Sequence, residues 1–215
     1  MTYGAAETAS RDALVRRGLV LNYATIGYNA VEAVLSILAG VIAGSVALIG
    51  FGLDSIIEVA SGVAALWRLR SDVDAARRES AERAALKVIG LTFLALAAYV
   101  TYEGAKTLWM RELPSRSILG VVILVLSVIV MPWLSRKKRR VAQGLESRAL
   151  EAEATQTSLC AYLSAIALAG VGLNAFFGVW WADPVAALAM VPIIAREGFE
   201  GLRVPAHVTG KRTSC

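Results

Sequence analysis

Six stretches of this chain are each apolar over about the length of a bilayer-spanning helix: Gly18–Ala39, Ser45–Leu66, Val88–Leu108, Ile118–Leu134, Thr155–Val179 and Pro184–Phe199. The hydrocarbon core of a membrane asks for roughly 20 predominantly apolar residues per helix. Inside it no water satisfies backbone N–H and C=O groups, so a segment that crosses alone pairs them internally, as a helix. Composition agrees, with 57% hydrophobic residues and a mean hydropathy of +0.60. The segments and their connections use the chain up to about Arg203. The sequence therefore predicts an all-α, polytopic membrane protein: one six-helix domain over residues 18–203, between short tails at 1–17 and 204–215.

Lys and Arg in the short connections set the orientation. Arg11, Arg16 and Arg17 precede the first segment, Arg68, Arg70, Arg77, Arg78, Arg83 and Lys87 separate the second from the third, and Arg136-Lys-Lys-Arg-Arg140 follows the fourth. The loop Gly40–Gly44 has no charge, and Gly178–Asp183 has one acid and no base. Only Lys106, Arg111 and Arg116 dissent, diluted by Glu103 and Glu112. Both termini are thus expected in the cytoplasm, in the inner membrane if the source is bacterial. Net charge is +5, and the basic run at 136–140 reads as a topogenic cluster attracted to anionic headgroups rather than as a nucleic-acid surface. Met1–Ser10 is too polar for a cleaved signal peptide. Cys160, inside the fifth segment, and Cys215, at the end, define no disulfide framework. Trp109, Trp133, Trp180 and Trp181 near segment ends fit interfacial anchors.

Asp54 and Glu58 lie one helical turn apart within the second segment. A carboxylate at that depth costs at least about 2.5 kcal/mol by insertion scales, and two on one face cost more unless a positive charge sits between them. No Lys or Arg lies within the core of any segment as delimited above, so the pair reads as a cation site. In the fifth segment Gln156 and Cys160 also stand at i and i+4, hence on one face. Two helices that each present a pair can supply four donors to one ion, the usual number for zinc. The bland alternatives are that Gln156 and Thr157 are interhelical hydrogen-bond glue and that Cys160 is a small hydrophobe.

The stretch Gly44-Ser-Val-Ala-Leu-Ile-Gly-Phe-Gly-Leu-Asp-Ser-Ile-Ile-Glu58 resembles the second span of the cation diffusion facilitators, the zinc-transporter family, where a His/Asp-x-x-x-Asp pair follows such a run. Glu82-Arg-Ala-Ala-Leu is similar to the start of that family's third span, Tyr102-Glu-Gly-Ala-Lys to its end, and Trp181-Ala-Asp-Pro-Val-Ala-Ala-Leu188 to the beginning of its sixth. Gln156-x-x-x-Cys160 falls where the family carries His-x-x-x-Asp. The resemblance covers nearly the whole chain. It implies a six-helix homodimeric transporter that exports divalent cations from the cytoplasm in exchange for protons, with Asp54, Glu58, Gln156 and Cys160 as metal ligands. It is closest to short, divergent members, including transmembrane zinc-binding proteins, without the ferredoxin-like domain that typically follows the sixth helix.

Two carboxylates, an amide oxygen and a thiolate make a mixed site. Sulfur leans towards Zn2+ or Cd2+, while the oxygens also suit Mn2+, Co2+ or Fe2+. Zn2+ is the first expectation. The spans contain no His, the side chain that most readily trades a metal for a proton near neutral pH, so proton coupling falls to Asp54, Glu58 or Cys160. Asn22, Asn29 and Glu32 occupy neighbouring turns of the first segment, where Glu32 is either an acid supporting the site or a partner for a facing polar group. Glu151 and Glu153 either funnel cations or complement a helix N-terminus. Asp183-Pro184 reads as a structural N-cap with proline at the first helical position. His207 and Cys215 are at most loose metal ligands. A non-transporting metal-binding protein (sensor or partner subunit) and an exporter of small organic cations are the rival functions. No organic cofactor or enzyme motif is present.

Cysteine labelling tests the topology: sites introduced near Arg77 and Lys138 should react from the cytoplasmic side and sites near Gly44 and Trp180 from outside. Reversed accessibility at two of them would break the arrangement with both ends inside.

Overall fold

The computed structural model describes residues 2–70, 75–145 and 148–203, without side chains at 2–12, 65, 67–86, 145–150 and 152. Among these residues there are six helices and no strand: α1 (Thr2–Ala43), α2 (Val46–Arg70), α3 (Ala75–Met110), α4 (Ile118–Leu145), α5 (Arg148–Phe177) and α6 (Ala182–Leu202). The six apolar segments each become one helix. All but α6 are long and apolar enough to cross a membrane. The 21-residue α6 carries Asp183 at its start and Arg196, Glu197 and Glu200 near its end, yet it lies along α3 and α5 as the sixth member of the bundle. The side chains of Arg11, Arg68, Arg70, Arg77, Arg78 and Arg83, and the tail with His207 and Cys215, lie outside the described residues.

Several helices overrun the segments expected from hydropathy, furthest into the charged flanks. The expected N-terminal tail at 1–17 is helical from Thr2, and α1 runs for 42 residues, ~63 Å at 1.5 Å per residue and about twice the hydrocarbon thickness. Likewise α3 starts at Ala75 rather than Val88, α4 continues past Leu134 to Leu145, and α5 begins at Arg148. The flanks are rich in Ala, Arg, Glu, Lys and Leu, all strong helix formers. Hydropathy finds the edge of the bilayer, which is not the end of the helix.

The bundle is inside out relative to a water-soluble one. Large apolar side chains such as Val31, Val34, Leu38 and Ile42 on α1 and Val122, Leu126 and Ile129 on α4 are exposed, whereas Asn22, Thr25, Asn29, Glu32 and Ser36 are buried. Those five polar residues follow the 3,4 spacing of one helix face, which α1 turns towards α2 and α4. A lipid-facing exterior explains both halves of the pattern. Trp109, Trp133 and Trp181 are exposed as interfacial anchors require, with the Lys137 ammonium 5.6 Å from the Trp133 ring centre.

Three turns close one end of the bundle. Gly44 sits at φ 65°, the left-handed conformation a tight turn needs. The Ser115 N–H donates to Ala43 O at 2.7 Å, and Asn174 Nδ2 donates to Pro114 O at 3.0 Å, tying the α1–α2 and α3–α4 turns to α5. Along the α1–α2 contact, small residues let backbones approach: a Cβ on Gly52 would stand 2.7 Å from Ile37 Cγ1 and 3.0 Å from the Ile37 nitrogen. Gly52→Val should therefore destabilise the bundle by about 1–3 kcal/mol, as overpacking does. Gly27→Val, at an exposed position with nothing within 4 Å of the added Cβ, should be close to neutral. Thermal unfolding in detergent checks both, and equal midpoints would refute the close approach.

Candidate cation site

The α2 pair and the α5 pair meet. Asp54, Glu58, Gln156 and Cys160 all line one cavity, completed by Phe93, Leu159, Leu163, Ile193, Ile194 and Glu197. Asp54, Glu58 and Cys160 are 3%, 7% and 1% exposed, and Gln156 is partly buried. Their convergence follows from spacing: on α5 Glu153, Thr157, Cys160, Ser164, Ala167, Val171 and Asn174 form a buried stripe at alternating steps of four and three, so the apolar core anchors the same face that carries the polar groups.

Two hydrogen bonds engage members of this set. Asn29 Nδ2 donates to Glu58 Oε2 at 2.6 Å, and Gln156 Nε2 donates to Ser61 Oγ at 3.2 Å. Among the described residues no three His, Cys, Asp or Glu side chains lie close enough to share one ion. Both bonds leave a ligand oxygen uncommitted, Oε1 of Glu58 and the amide Oε1 of Gln156, so that gathering the set around a cation calls for side chains to shift rather than for either bond to break.

A second cavity adjoins the first. Asn22, Thr25, Asn29, Glu58, Lys138, Glu153, Gln156 and Thr157 are among its walls, and Glu58 and Gln156 belong to both cavities. Here the structure corrects the reading of the basic run at 136–140 as a wholly headgroup-facing cluster. Arg136, Lys137, Arg139 and Arg140 are exposed as a headgroup-facing cluster would be, but Lys138 is 3% exposed. Its Nζ lies 3.3 Å from Glu153 Oε2 and 3.4 Å from Thr157 Oγ1. The signal was in the spacing: Leu124, Ser127, Met131, Ser135, Lys138 and Ala142 are the buried face of α4, and a hydropathy window ending at Leu134 cuts that stripe short. Glu153 is correspondingly this lysine's buried partner, while Glu151 is exposed.

Glu197 was also missed. It continues the α6 stripe Asp183, Ala187, Met190, Ile194 at the same steps and faces the α2–α5 cavity. Glu32 accepts a hydrogen bond from Ser55 Oγ at 3.0 Å, beside Asp54 in sequence, and its Oε1 is buried without a partner. Asp183 does not cap α6, whose N-cap is Trp181. Instead it accepts hydrogen bonds from Ser45 Oγ and, at 3.4 Å, from the Ala47 N–H, so that it completes the N-terminus of α2, where Ser45 Oγ also accepts the Leu48 N–H at 3.1 Å.

A polar, acid-lined interior in a bundle of membrane-spanning length is what an ion-conducting protein needs. The family description that matches this chain, the cation efflux transmembrane domain, covers residues 23–204. The chain belongs to the cation efflux family. No curated protein matches it. Cation efflux proteins are membrane transporters of divalent metal cations, so this chain is a cation transporter of that kind.

Because the hydrogen bonds of Asp183 serve the start of α2, Asp183→Ala should cost about 0.5–2 kcal/mol, the range for a lost helix cap, while leaving cation affinity unchanged. Unfolding and zinc titration of the same sample measure both, and lost affinity in a stably folded variant would move Asp183 into the ion pathway.

Proposed function

We propose that this cation efflux protein exports a divalent metal ion, Zn2+ before Cd2+, Mn2+, Co2+ or Fe2+, by alternating access coupled to protons, as a homodimer, with Asp54, Glu58, Gln156 and Cys160 as the ligands. The observation that carries the reading is that these four side chains, from two helices, line one cavity in the middle of an apolar bundle. Asp54 and Glu58 supply charge, the Gln156 amide a neutral oxygen, and Cys160 a sulfur that binds well only once deprotonated. Zinc accepts this mixture because it imposes no d-electron geometry.

The chemistry divides into two stages. An ion arriving from the basic end passes the cavity between α1, α2, α4 and α5, then reaches the uncommitted oxygens of Glu58 and Gln156. Release is favoured when protons replace the metal on the carboxylates and the thiol. Small residues along α2, Gly52 and Ser55 among them, permit sliding against α1.

Zinc titration of the purified full-length protein should show affinity lost in Asp54→Asn and Glu58→Gln, at least about tenfold each if each contributes a charged ligand. Cys160→Ser should weaken zinc and cadmium far more than manganese, since a soft donor becomes a hard one at nearly constant volume. Equal effects on all three metals would remove Cys160 from the site. Zinc uptake into proteoliposomes with an imposed proton gradient decides between transport and binding alone, and competition by an organic cation tests the remaining rival.

A further inference from the structure

Lys138 is the one buried basic side chain among the described residues. A static pair with Glu153 would account for its charge, but not for the rest of its surroundings. Its cavity is rich in acceptors: Asn22 Oδ1, Asn29 Oδ1 and Glu153 Oε1 are buried without hydrogen-bond partners, and Asn22, Asn29 and Glu153 all line that cavity together with Glu58. The ammonium has three N–H groups and two acceptors within reach, Glu153 Oε2 and Thr157 Oγ1. A cavity with spare buried oxygens solvates a cation well, and those oxygens are costly when left without a partner. Lysine, a compact charge on a flexible four-carbon stem, can move within it.

On α5, Glu153 and Thr157 are one turn apart, and Thr157 neighbours Gln156, so the contacts of Lys138 lead along the helix towards the candidate ligands. Glu58 is the wall shared by the two cavities. We propose that Lys138 is a tethered substitute for the transported ion: its ammonium exchanges between Glu153 and Glu58, neutralising Glu58 when no divalent cation is bound, and an arriving ion drives it back to Glu153. The described conformation is the Glu153 end of this exchange, with Glu58 held by Asn29. The inference rests on the reading of Asp54 and Glu58 as the cation site. It gives one internal positive charge two buried carboxylates to serve in turn, Glu153 and Glu58.

The test uses the charge balance of the pair. Lys138 on Glu153 is net neutral, and replacing a buried ion pair by apolar side chains of similar size is often neutral or stabilising. If the lysine never leaves Glu153, Lys138→Met combined with Glu153→Leu should leave zinc affinity as it was. If the ammonium occupies Glu58 about nine-tenths of the time in the metal-free protein, the double variant should bind zinc about tenfold more tightly, because the competent fraction is no longer divided. Zinc titration of the full chain in lipid nanodiscs reads this directly, with Lys138→Gln plus Glu153→Gln as a polar alternative if the apolar pair does not fold. Unchanged or weaker affinity overturns the proposal. Asp54→Asn in both backgrounds separates the two ideas: if it abolishes zinc binding while the double variant has no effect, the site stands and the exchange falls. If zinc binding ignores Asp54 in both, the site itself falls, and the exchange with it.

Discussion

A polar atom surrounded by lipid and protein has only protein to pair with, and that restriction organises this bundle. Six buried or part-buried polar groups on one helix find a partner on another: Ser55 with Glu32, Asn29 with Glu58, Lys138 with Glu153, Gln156 with Ser61, Ser164 with Ser127, and Ser135 with the Ala154 carbonyl. Such bonds in membranes average only about 0.6 kcal/mol, so their sum is not what holds the helices together. They fix register. A slip of one residue on α1, α4 or α5 turns a polar stripe towards lipid, where every member becomes an unpaired cost. Packing of Phe51, Leu48, Leu124, Met131 and Met190 supplies contact area, and the polar pairs decide which contact.

The same logic explains the division of labour among helices. The polar interior belongs mainly to α1, α2, α4 and α5, while α3 and α6 pack on each other, α3 also against α2 and α6 also against α5. Phe93, Ile193 and Ile194 from that outer pair close the α2–α5 cavity with apolar surface, and Glu197 adds one acid. A donor set walled by apolar side chains on one side and joined to a polar chamber on the other has a built-in direction of approach.

Much of this was legible in the sequence. Six apolar runs gave six helices because length and hydropathy are local properties that the bilayer makes decisive. Asp54 with Glu58 and Gln156 with Cys160 could be paired by helical spacing alone, and the structure puts all four on one cavity. What could not be read locally was which neighbour each polar group would meet. Lys138 looked like one of five basic residues in an interfacial cluster, and only the continuation of the α4 stripe past Leu134 separates it from Arg136, Lys137, Arg139 and Arg140. Asp183 beside Pro184 has the form of a helix start, yet Ser45 and Ala47, far away in sequence, claim it. The helix ends were missed for a different reason: a charged flank of good helix formers continues the helix without leaving any mark in hydropathy.

The two ends of the bundle also differ in how they can deform. At one, short turns are pinned to one another through Ser115 with Ala43, Asn174 with Pro114, and Asp183 with Ser45. At the other, α1, α3, α4 and α5 run on beyond the apolar segments as helical extensions. The molecule is thus a set of long levers sharing a stiff pivot. A rotation of a few degrees about the pinned turns displaces the far tips by several times more than it displaces Asp54 and Glu58, and the lever tips become the place where a small rearrangement at the cavity is most easily felt by anything that touches the protein from that side.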